Sequence, residues 1–345
     1  MGLRLPCRKN SAYLIENTYF RKAFSGLEDF EGFIITGEKT AYFTDARYFS
    51  EAKDKITSRG FEAVLFDGED CLRNYLKKHR IKTLYVDFDN TTLTRYNSLK
   101  KLGVKIKDGS FDLKVSRSVK SDEEIDLIKT ASEISEKVIL SAINSLKEGI
   151  TEIELKNKIQ NDLTEFGADG EAFDTIVAFG KNSAVPHHVS DSTLLKKDSV
   201  VLIDMGATYK GYASDITRTV FFGTPTEKFA KCYDAVKTAN ELVIEKAKSG
   251  DLYKNIDWIA RGYLQKEGLD KYFTHSLGHG LGLEIHEFPK LSPLGEANAM
   301  ENVVFTVEPG VYFENEFGIR IEDTVVIKDG RIKRLTVSAK DLLTI

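Results

Sequence analysis

Apolar residues recur along this chain with two periods, one typical of helices and one typical of strands. In residues 1–118 short β-branched and aromatic runs alternate with segments of helical period. The pattern predicts a hairpin over 32–44, a helix over 46–58, a strand over 63–66, a helix over 71–79 and a strand over 83–88. This alternation predicts a small α/β domain that ends near residue 118.

Residues 119–345 begin with two segments of helical period that have clear start signals. Ser121 and Thr151 each stand three residues before a glutamate, the arrangement of a capping box. We therefore expect helices to start at these positions. Two further helices are expected over 228–249 and 254–267, with Trp258 on the buried face of the second one.

Two aspartates flank a predicted strand hairpin. Asp204 follows an apolar run, and Asp215 precedes the returning strand. A turn centred on Tyr209 and Lys210 would place them opposite each other, with Cβ atoms about 4.5–5.5 Å apart. Two such charges raise each other's pKa, and the pair therefore indicates a compensating cation. In a single pair of this kind, however, it is about equally common that one aspartate caps a turn and the other is solvated.

The same arrangement of apolar strand, acid and glycine occurs a second time. Glu308 and Glu322 would face each other across a turn near Asn315. The glycines that end the predicted helices repeat with an offset of 101 residues: Gly149 with Gly250, and Gly167 with Gly268. We infer two related halves that each contribute a carboxylate pair to one centre. Four carboxylates are neutralised by two divalent cations.

Five of the six histidines lie in two clusters, at 187–188 and at 275–286. The spacing of His275 and His279 matches a zinc-binding helix. Glycines at 278, 280 and 282 contradict that reading, because each costs about 1 kcal/mol inside a helix. We predict instead an extended glycine-rich segment that passes close to a ligand.

The order of these acids and histidines, with the flanking sequences PHH, DMGATYKGYASDITRT, SLGHGLGLEIHE, VEPGVY and IRIEDT, resembles the pita-bread metallopeptidases. The similarity is to the proline-specific branch, which comprises Xaa-Pro aminopeptidases and Xaa-Pro dipeptidases (prolidases). It implies an α+β fold, with a pita-bread catalytic domain at 119–345 that contains a pseudo-two-fold repeat. A smaller creatinase-type α/β domain is implied at 1–118, where FIITGEKTAYFTDARYFSEA resembles the same branch.

The resemblance also implies a role for each site residue. The set comprises the metal ligands Asp204, Asp215, His279, Glu308 and Glu322, the catalytic residues His187, His286 and Glu308, and the substrate contacts Phe173, Ile176, His275 and Arg320. Asp215 and Glu322 would bridge two divalent ions, manganese first and cobalt or zinc next. A hydroxide between the ions would be the nucleophile, and Glu308 would move its proton. His187 and His286 would stabilise the tetrahedral intermediate.

Substrate choice depends on a cation that could hold a free carboxylate. Some prolidases have an arginine four residues after the histidine that matches His286, and this chain has Lys290 there. The departure leaves the dipeptidase open without supporting it, so we favour the aminopeptidase narrowly, with short peptides that carry proline at the second position as substrates. A creatinase-like C–N hydrolase and a non-catalytic pita-bread binding protein remain alternatives. A methionine aminopeptidase is disfavoured, because it would not need the N-terminal domain.

Composition excludes several other classes. The net charge of −4 over 345 residues gives no basic surface for nucleic acid or an anionic membrane. Cys7, Cys71 and Cys232 are odd in number and far apart, which is typical of reduced thiols in a cytoplasmic protein. The resemblance implies a homodimer.

Overall fold

The computed structural model describes residues 5–6, 8–27 and 30–345, which form two compact units, 1–117 and 118–345. Cys7 lies outside the described residues, and Cys71 and Cys232 are free thiols. Among the described residues, every helix is too short or too polar to span a bilayer.

The first unit contains one mixed six-stranded sheet. Its elements are β1 (Ser11–Ile15), α1 (Thr18–Ser25), β2 (Phe33–Thr36), β3 (Thr40–Thr44), α2 (Ala46–Ser58), β4 (Glu62–Leu65), α3 (Glu69–Lys78), β5 (Thr83–Val86), α4 (Leu93–Lys100), β6 (Lys105–Asp108) and α5 (Ser110–Ser118). The strand order is β4-β3-β2-β1-β5-β6. Alternate residues of the central strands belong to two apolar clusters, one with α3 and α4 and the other with α1, α2 and α5. Helices therefore cover both faces, and the predicted hairpin and helices are confirmed.

The second unit contains four long helices and several small sheets. Its elements are α6 (Asp122–Asn144), α7 (Glu152–Glu165), β7 (Gly170–Glu171), β8 (Ile176–Phe179), β9 (Ser199–Met205), β10 (Ala207–Tyr209), β11 (Tyr212–Ala213), β12 (Ile216–Phe222), α8 (Glu227–Lys246), α9 (Tyr253–Lys266), β13 (Gly278–Gly280), β14 (Glu287–Leu291), β15 (Val304–Val307), β16 (Gly310–Phe313), β17 (Phe317–Arg320), β18 (Asp323–Lys328) and β19 (Arg331–Arg334). The sheets are β11-β10-β7, β12-β9-β8, β14-β13-β15-β18-β19 and β16-β17. Short 3-10 helices lie at Gly180–Ala184 and Asp270–Tyr272.

The predicted internal repeat is present in this unit. Helices α6 and α7 precede the β9–β12 hairpin, and α8 and α9 precede the strands β15–β18. Both predicted capping boxes, at Ser121 and at Thr151, are formed. Gly149 and its counterpart Gly250 have φ angles of +85° and +91°, in the left-handed region that favours glycine. The repeated glycines therefore mark equivalent turns after equivalent helices.

The register of the first hairpin differs from the prediction. Asp204 lies opposite Thr217, not opposite Asp215. The turn is centred on Lys210 and Gly211, which have φ angles of +47° and +77°. Two consecutive positive φ angles are typical of a two-residue hairpin turn, and this turn moves the pairing by two residues. Asp215 consequently remains on the same face as Asp204, as a diagonal neighbour.

The register of the second hairpin agrees with the prediction. Val307 pairs with Asp323, and Gly310 pairs with Arg320. The positions between these pairs place Glu308 opposite Glu322.

Hydrogen bonds between the two halves bring their acids together. The backbone N–H of Glu322 donates to the carbonyl of Thr217 at 3.2 Å. The N–H of Asp215 donates to the Thr324 hydroxyl at 3.3 Å, which in turn donates to the Asp215 carbonyl at 2.7 Å. The two hairpins therefore pack side by side, and the carboxylates of both lie at the contact between them.

One expectation about a single residue is corrected. Trp258 is 55% exposed, because the buried face of α9 is formed by its neighbours Ile256, Ala260 and Leu264. The segment at Gly278 is extended, as predicted, and its glycine also allows close packing against the protein. A Cβ at Gly278 would lie 2.0 Å from the carbonyl oxygen of Thr306.

Candidate active site

A cavity of about 670 Å³ in the second unit is lined by every site residue that the sequence analysis singles out. These residues are Phe173, Ile176, His187, Asp204, Asp215, His275, His279, His286, Glu308, Arg320 and Glu322. They come from seven strands or adjoining loops of both halves. The fold therefore brings together residues that are up to 149 positions apart in the chain.

Four carboxylates converge at the floor of the cavity. Asp204 is on β9, Asp215 precedes β12, Glu308 follows β15, and Glu322 stands between β17 and β18. Asp215 and Glu322 are 5% and 2% exposed. The Oδ1 atoms of both aspartates are buried without a hydrogen-bond partner. Buried oxygens of this kind are costly unless a cation or a proton accompanies them.

The crowding of these acids changes their protonation. Burial, followed by the charge of Glu322, raises the pKa of Asp215 well above its usual value. Burial and the charge of Glu308 do the same for the pKa of Glu322. Burial also raises the pKa of Glu308 to about 8. Without a cation, burial and mutual repulsion therefore favour the protonated forms of Asp215, Glu308 and Glu322.

His279 has the tautomer that a metal ligand requires. Its Nδ1 lies 3.2 Å from the carbonyl oxygen of Gly280, which can only accept, and so Nδ1 carries the proton. Its Nε2 lies 3.5 Å from carboxylate oxygens of both Asp215 and Glu308. Burial and nearby His286 lower the pKa of His279 to about 4, so the ring is neutral at pH 7. Its lone pair therefore points at carboxylate oxygens.

This donor set fits divalent cations. Ligand atoms of Asp215, His279 and Glu322 all lie within 4.8 Å of one another. A neutral imidazole lone pair and unpartnered carboxylate oxygens repel one another until a positive ion lies between them. Oxygen ligands with one imidazole suit hard or borderline ions.

Arg320 holds one of these carboxylates. Its Nη2 donates to Oδ2 of Asp204 at 2.5 Å, and its Nε donates to the hydroxyl of Thr217 at 3.0 Å. Its Nη1 donates to Tyr312 at 2.8 Å and to the carbonyl of Pro186 at 3.3 Å. Arg320 is 4% exposed and its guanidinium donates to acceptors of the protein. The geometry thus supports the fixing of a carboxylate by Arg320, which also lines the cavity.

His275 is connected to the same network through Tyr312. Its Nδ1 donates to the carbonyl of Ser276 at 2.8 Å, and its Nε2 accepts from the Tyr312 hydroxyl at 3.0 Å. Burial, followed by the charge of Arg320, lowers the pKa of His275 to about 4. Both ring nitrogens are therefore used inside the protein, although the ring lines the cavity.

His187 and His286 lie at the more exposed part of the cavity. Burial, followed by the charge of His187, lowers the pKa of His286. The ring of His286 meets the ring of His279 edge to face, with centroids 4.3 Å apart. Ile176 pairs with Asp204 across β8 and β9, and so it lies beside a predicted ligand. The cavity thus has imidazoles and an apolar wall next to the carboxylates.

Two members of the network were not singled out from the sequence. Thr217 donates to Oε2 of Glu322 at 2.6 Å, and Tyr312 connects Arg320 to His275. Tyr312 is the last letter of VEPGVY, so a motif contained it without indicating its contact. The only available signal for Thr217 was its position two residues after Asp215, on the same face of the strand.

We expect the metal-free protein to lose stability as the pH rises from about 6.5 to about 8. The pKa of Glu308 is about 8 in the folded chain, against about 4.3 when unfolded. The folded state therefore binds an extra proton, and the stability gained from it is lost as the pH rises through 8. The lowered pKa values of His275 and His279 reduce stability only below about 6.5.

A bound divalent metal should remove this dependence, because the metal replaces the protons. The measurement is thermal unfolding across this pH range, with a chelator and with saturating Mn²⁺. An unfolding midpoint that stays constant or rises with pH in the chelated protein would contradict the expectation.

Comparison with known proteins identifies the family. Residues 126–329 match metallopeptidase family M24. A Xaa-Pro dipeptidase of Pyrococcus furiosus is 37% identical over 333 residues, which are 95% of this chain and 92% of the relative. The structure of a Xaa-Pro dipeptidase from Bacillus anthracis superposes with a TM-score of 0.91 at 31% identity, over 97% of this chain and 95% of that one. An X-Pro aminopeptidase structure from Thermotoga maritima gives 0.85 at 35% identity, over 97% of each chain.

These similarities confirm the predicted α+β pita-bread fold and the use of divalent metal. They do not support the alternative of a non-catalytic binding protein. The chain therefore belongs to metallopeptidase family M24 and is a peptidase.

Proposed function

We propose that this protein is a Xaa-Pro dipeptidase that uses two divalent metal ions. The sequence analysis favours the aminopeptidase, and the names of the most similar relatives support the dipeptidase instead. The observation that carries the proposal is the convergence of four carboxylates and one neutral imidazole in a cavity that also contains a cation at its rim. Lys290 lines that cavity and is exposed.

Asp204, Asp215, His279, Glu308 and Glu322 would hold the two ions. The family resemblance gives the shared positions to Asp215 and Glu322, which are also the most deeply buried acids of the cluster. Manganese is the proposed metal, since oxygen-rich sites with one imidazole suit it, with cobalt and zinc as alternatives. When bound, the ions supply a nucleophilic hydroxide at neutral pH and polarise the scissile carbonyl.

The protein's own residues do the remaining work. His187 and His286 donate hydrogen bonds to the substrate and to the oxygen that becomes negative during attack. Phe173 and Ile176 provide an apolar wall for the proline ring. Glu308, which lines the cavity beside His279, would carry a proton to the leaving nitrogen.

Lys290 gives the dipeptidase its preference for short substrates. It pairs with His279 across β13 and β14, so it stands on the strand next to a proposed ligand. Its ammonium group is suited to the free carboxylate of a terminal proline, as a point charge rather than a bidentate fork. A longer peptide has an amide at that place and gains nothing from the charge.

The proposed function is tested by the hydrolysis of Ala-Pro and of Ala-Pro-Ala, each with added Mn²⁺ and with a chelator. We expect metal-dependent cleavage of Ala-Pro at a higher kcat/KM than that of Ala-Pro-Ala. Preferential cleavage of the tripeptide would instead favour the function of a Xaa-Pro aminopeptidase. Cleavage of neither peptide, together with hydrolysis of creatine, would favour the creatinase-like alternative.

Replacing Lys290 with methionine should raise the KM for Ala-Pro about 10-fold or more, since a hydrogen bond to a charged group contributes about 1.5–3 kcal/mol. The KM for Ala-Pro-amide, which lacks the carboxylate, should change less than about twofold. Lys290→Arg keeps the charge and serves as the matched control. Equal effects on the acid and the amide would remove Lys290 from carboxylate recognition.

The cytoplasmic location and the homodimer remain predictions. Sedimentation of the purified chain would test the second one.

A further inference from the structure

The loop between β8 and β9 carries His187, and a single buried carboxylate accepts hydrogen bonds from residues on both sides of this histidine. Oε1 of Glu152 accepts from the N–H of Phe179 at 2.7 Å and from Nδ2 of Asn182 at 3.0 Å. Its Oε2 accepts from the N–H of Asp191 at 3.0 Å and from Nε2 of His188 at 2.7 Å. These donors precede and follow His187 in the chain.

Helix capping does not explain Glu152. It is the first residue of α7, where the helix dipole favours a negative charge. The capping box of that helix is complete without it. Thr151 accepts from the N–H of Glu154 at 3.1 Å, and the Glu154 carboxylate accepts from the N–H of Thr151 at 2.8 Å. Glu152 is instead fully buried and directed at the loop.

A further metal site does not explain it either. Glu152, His188 and Asp191 have potential ligand atoms within 4.8 Å of one another. Each oxygen of Glu152, however, already accepts two hydrogen bonds, and Oδ1 of Asp191 accepts from the N–H of Thr193 at 2.7 Å. The Nε2 of His188 must carry a proton in order to donate to the carboxylate. The cluster is therefore a closed hydrogen-bond network and not an open ligand set.

Other contacts also hold this loop. The hydroxyl of Ser190 accepts from the N–H of Val177 at 2.9 Å, and Nδ2 of Asn182 donates to the Thr193 hydroxyl at 3.1 Å. Each of these contacts joins one pair of residues. Glu152 differs because a single carboxylate accepts from residues on both sides of His187 and from its immediate neighbour His188.

We propose that Glu152 is a positioning residue that acts through His188 and the loop to hold His187 at the cavity. This inference rests on the proposed function, in which His187 contacts the substrate. Charge-assisted hydrogen bonds are stronger than neutral ones, and a charged acceptor with four donors restricts the loop in a way that a neutral side chain does not. A displacement of about 1 Å at a reacting group is sufficient to cost about 100-fold in rate.

The test compares Glu152→Gln with Glu154→Gln, a matched control in the same helical turn. We expect Glu152→Gln to lower kcat/KM for Ala-Pro about 10-fold to 100-fold, with an unchanged metal content. Glu154→Gln should stay within about twofold of the wild type. His188→Leu should resemble Glu152→Gln, and His188→Gln should retain most of the activity, because its amide nitrogen can replace Nε2 as the donor.

A double-mutant cycle separates positioning from general destabilisation. In a His187→Ala background, Glu152→Gln should lower kcat/KM by less than about twofold, since its effect passes through the missing imidazole. A loss that is the same in both backgrounds would overturn the inference. Wild-type activity of Glu152→Gln would also overturn it.

Amide hydrogen exchange provides a readout that does not depend on the substrate. The segment 179–191 should exchange faster in Glu152→Gln than in Glu154→Gln by about 10-fold or more. Unchanged exchange would overturn the inference whether or not the wild type cleaves Ala-Pro. Failure of the wild type to cleave any Xaa-Pro peptide would overturn the proposed function alone, if the exchange result holds.

Discussion

Replacing Asp215 with asparagine is expected to remove bound metal and to lower kcat/KM for Ala-Pro by about 10³-fold or more. The substitution keeps the shape of the side chain and removes its charge. Asp215 stands between the two hairpins, with one oxygen unpartnered and the other 3.5 Å from Nε2 of His279. Metal ions contribute several kcal/mol of transition-state stabilisation, and each 1.36 kcal/mol is a factor of ten.

The measurement combines metal analysis of the purified variant with steady-state kinetics at saturating Mn²⁺. Asp174→Asn is the matched control, because Asp174 lines the same cavity but pairs with Lys156 at 2.5 Å and has a 70% exposed side chain. The control should retain its metal and its activity. If Asp215→Asn kept full metal content and full activity, the assignment of Asp215 as a bridging ligand would be wrong.

Replacing His187 with alanine should leave the metal content unchanged and lower kcat by about 10²-fold to 10³-fold. His187 lies in the cavity but not among the carboxylates that converge on its floor. Removal of one donor that stabilises a developing negative oxygen typically costs this much in kcat. KM should change less than kcat, because the interaction strengthens only as the charge develops.

The same metal analysis and kinetics test this second prediction. His187→Gln restores a donor near the position of Nε2 and should recover part of the activity. Loss of metal from His187→Ala would instead place this histidine among the ligands. An unchanged kcat would remove it from catalysis.

In the proposed function the cavity has two layers. The acids and His279 at its floor would hold the ions, and the more exposed His187 and His286 would act on the substrate. The floor is buried, and three of its acids have raised pKa values. The rim is more exposed, as access to a substrate requires. Variants of the floor should therefore change metal content and activity together, and variants of the rim should change activity alone.

Local sequence patterns were sufficient for the helices and for the internal repeat. A capping box is formed by residues three positions apart, so Ser121 and Thr151 predicted helix starts that the structure contains. The turn near Asn315 was also predicted, because the apolar strands on its two sides have equal length and their register follows from it.

Patterns failed where a turn or a distant partner decides the geometry. The first hairpin is shifted by two residues, because Lys210 and Gly211 adopt positive φ angles that the composition of the turn did not reveal. Arg320 and His275 both line the cavity, but no local pattern indicated that their hydrogen bonds go to Asp204 and Tyr312. No local pattern singled out Glu152 either, because it belongs to the segment that starts α7.

The sequence by itself determined that four acids recur on two related strand hairpins, because strand periodicity and the repeat are local patterns. The other candidate residues followed from the family resemblance. Only the tertiary structure decided which partner each of these residues has. Arg320 and Asp204 are 116 positions apart, and Thr217 and Glu322 are 105 apart. Contacts at such separations arise when the two hairpins pack along each other, and no local pattern contains the register of that packing.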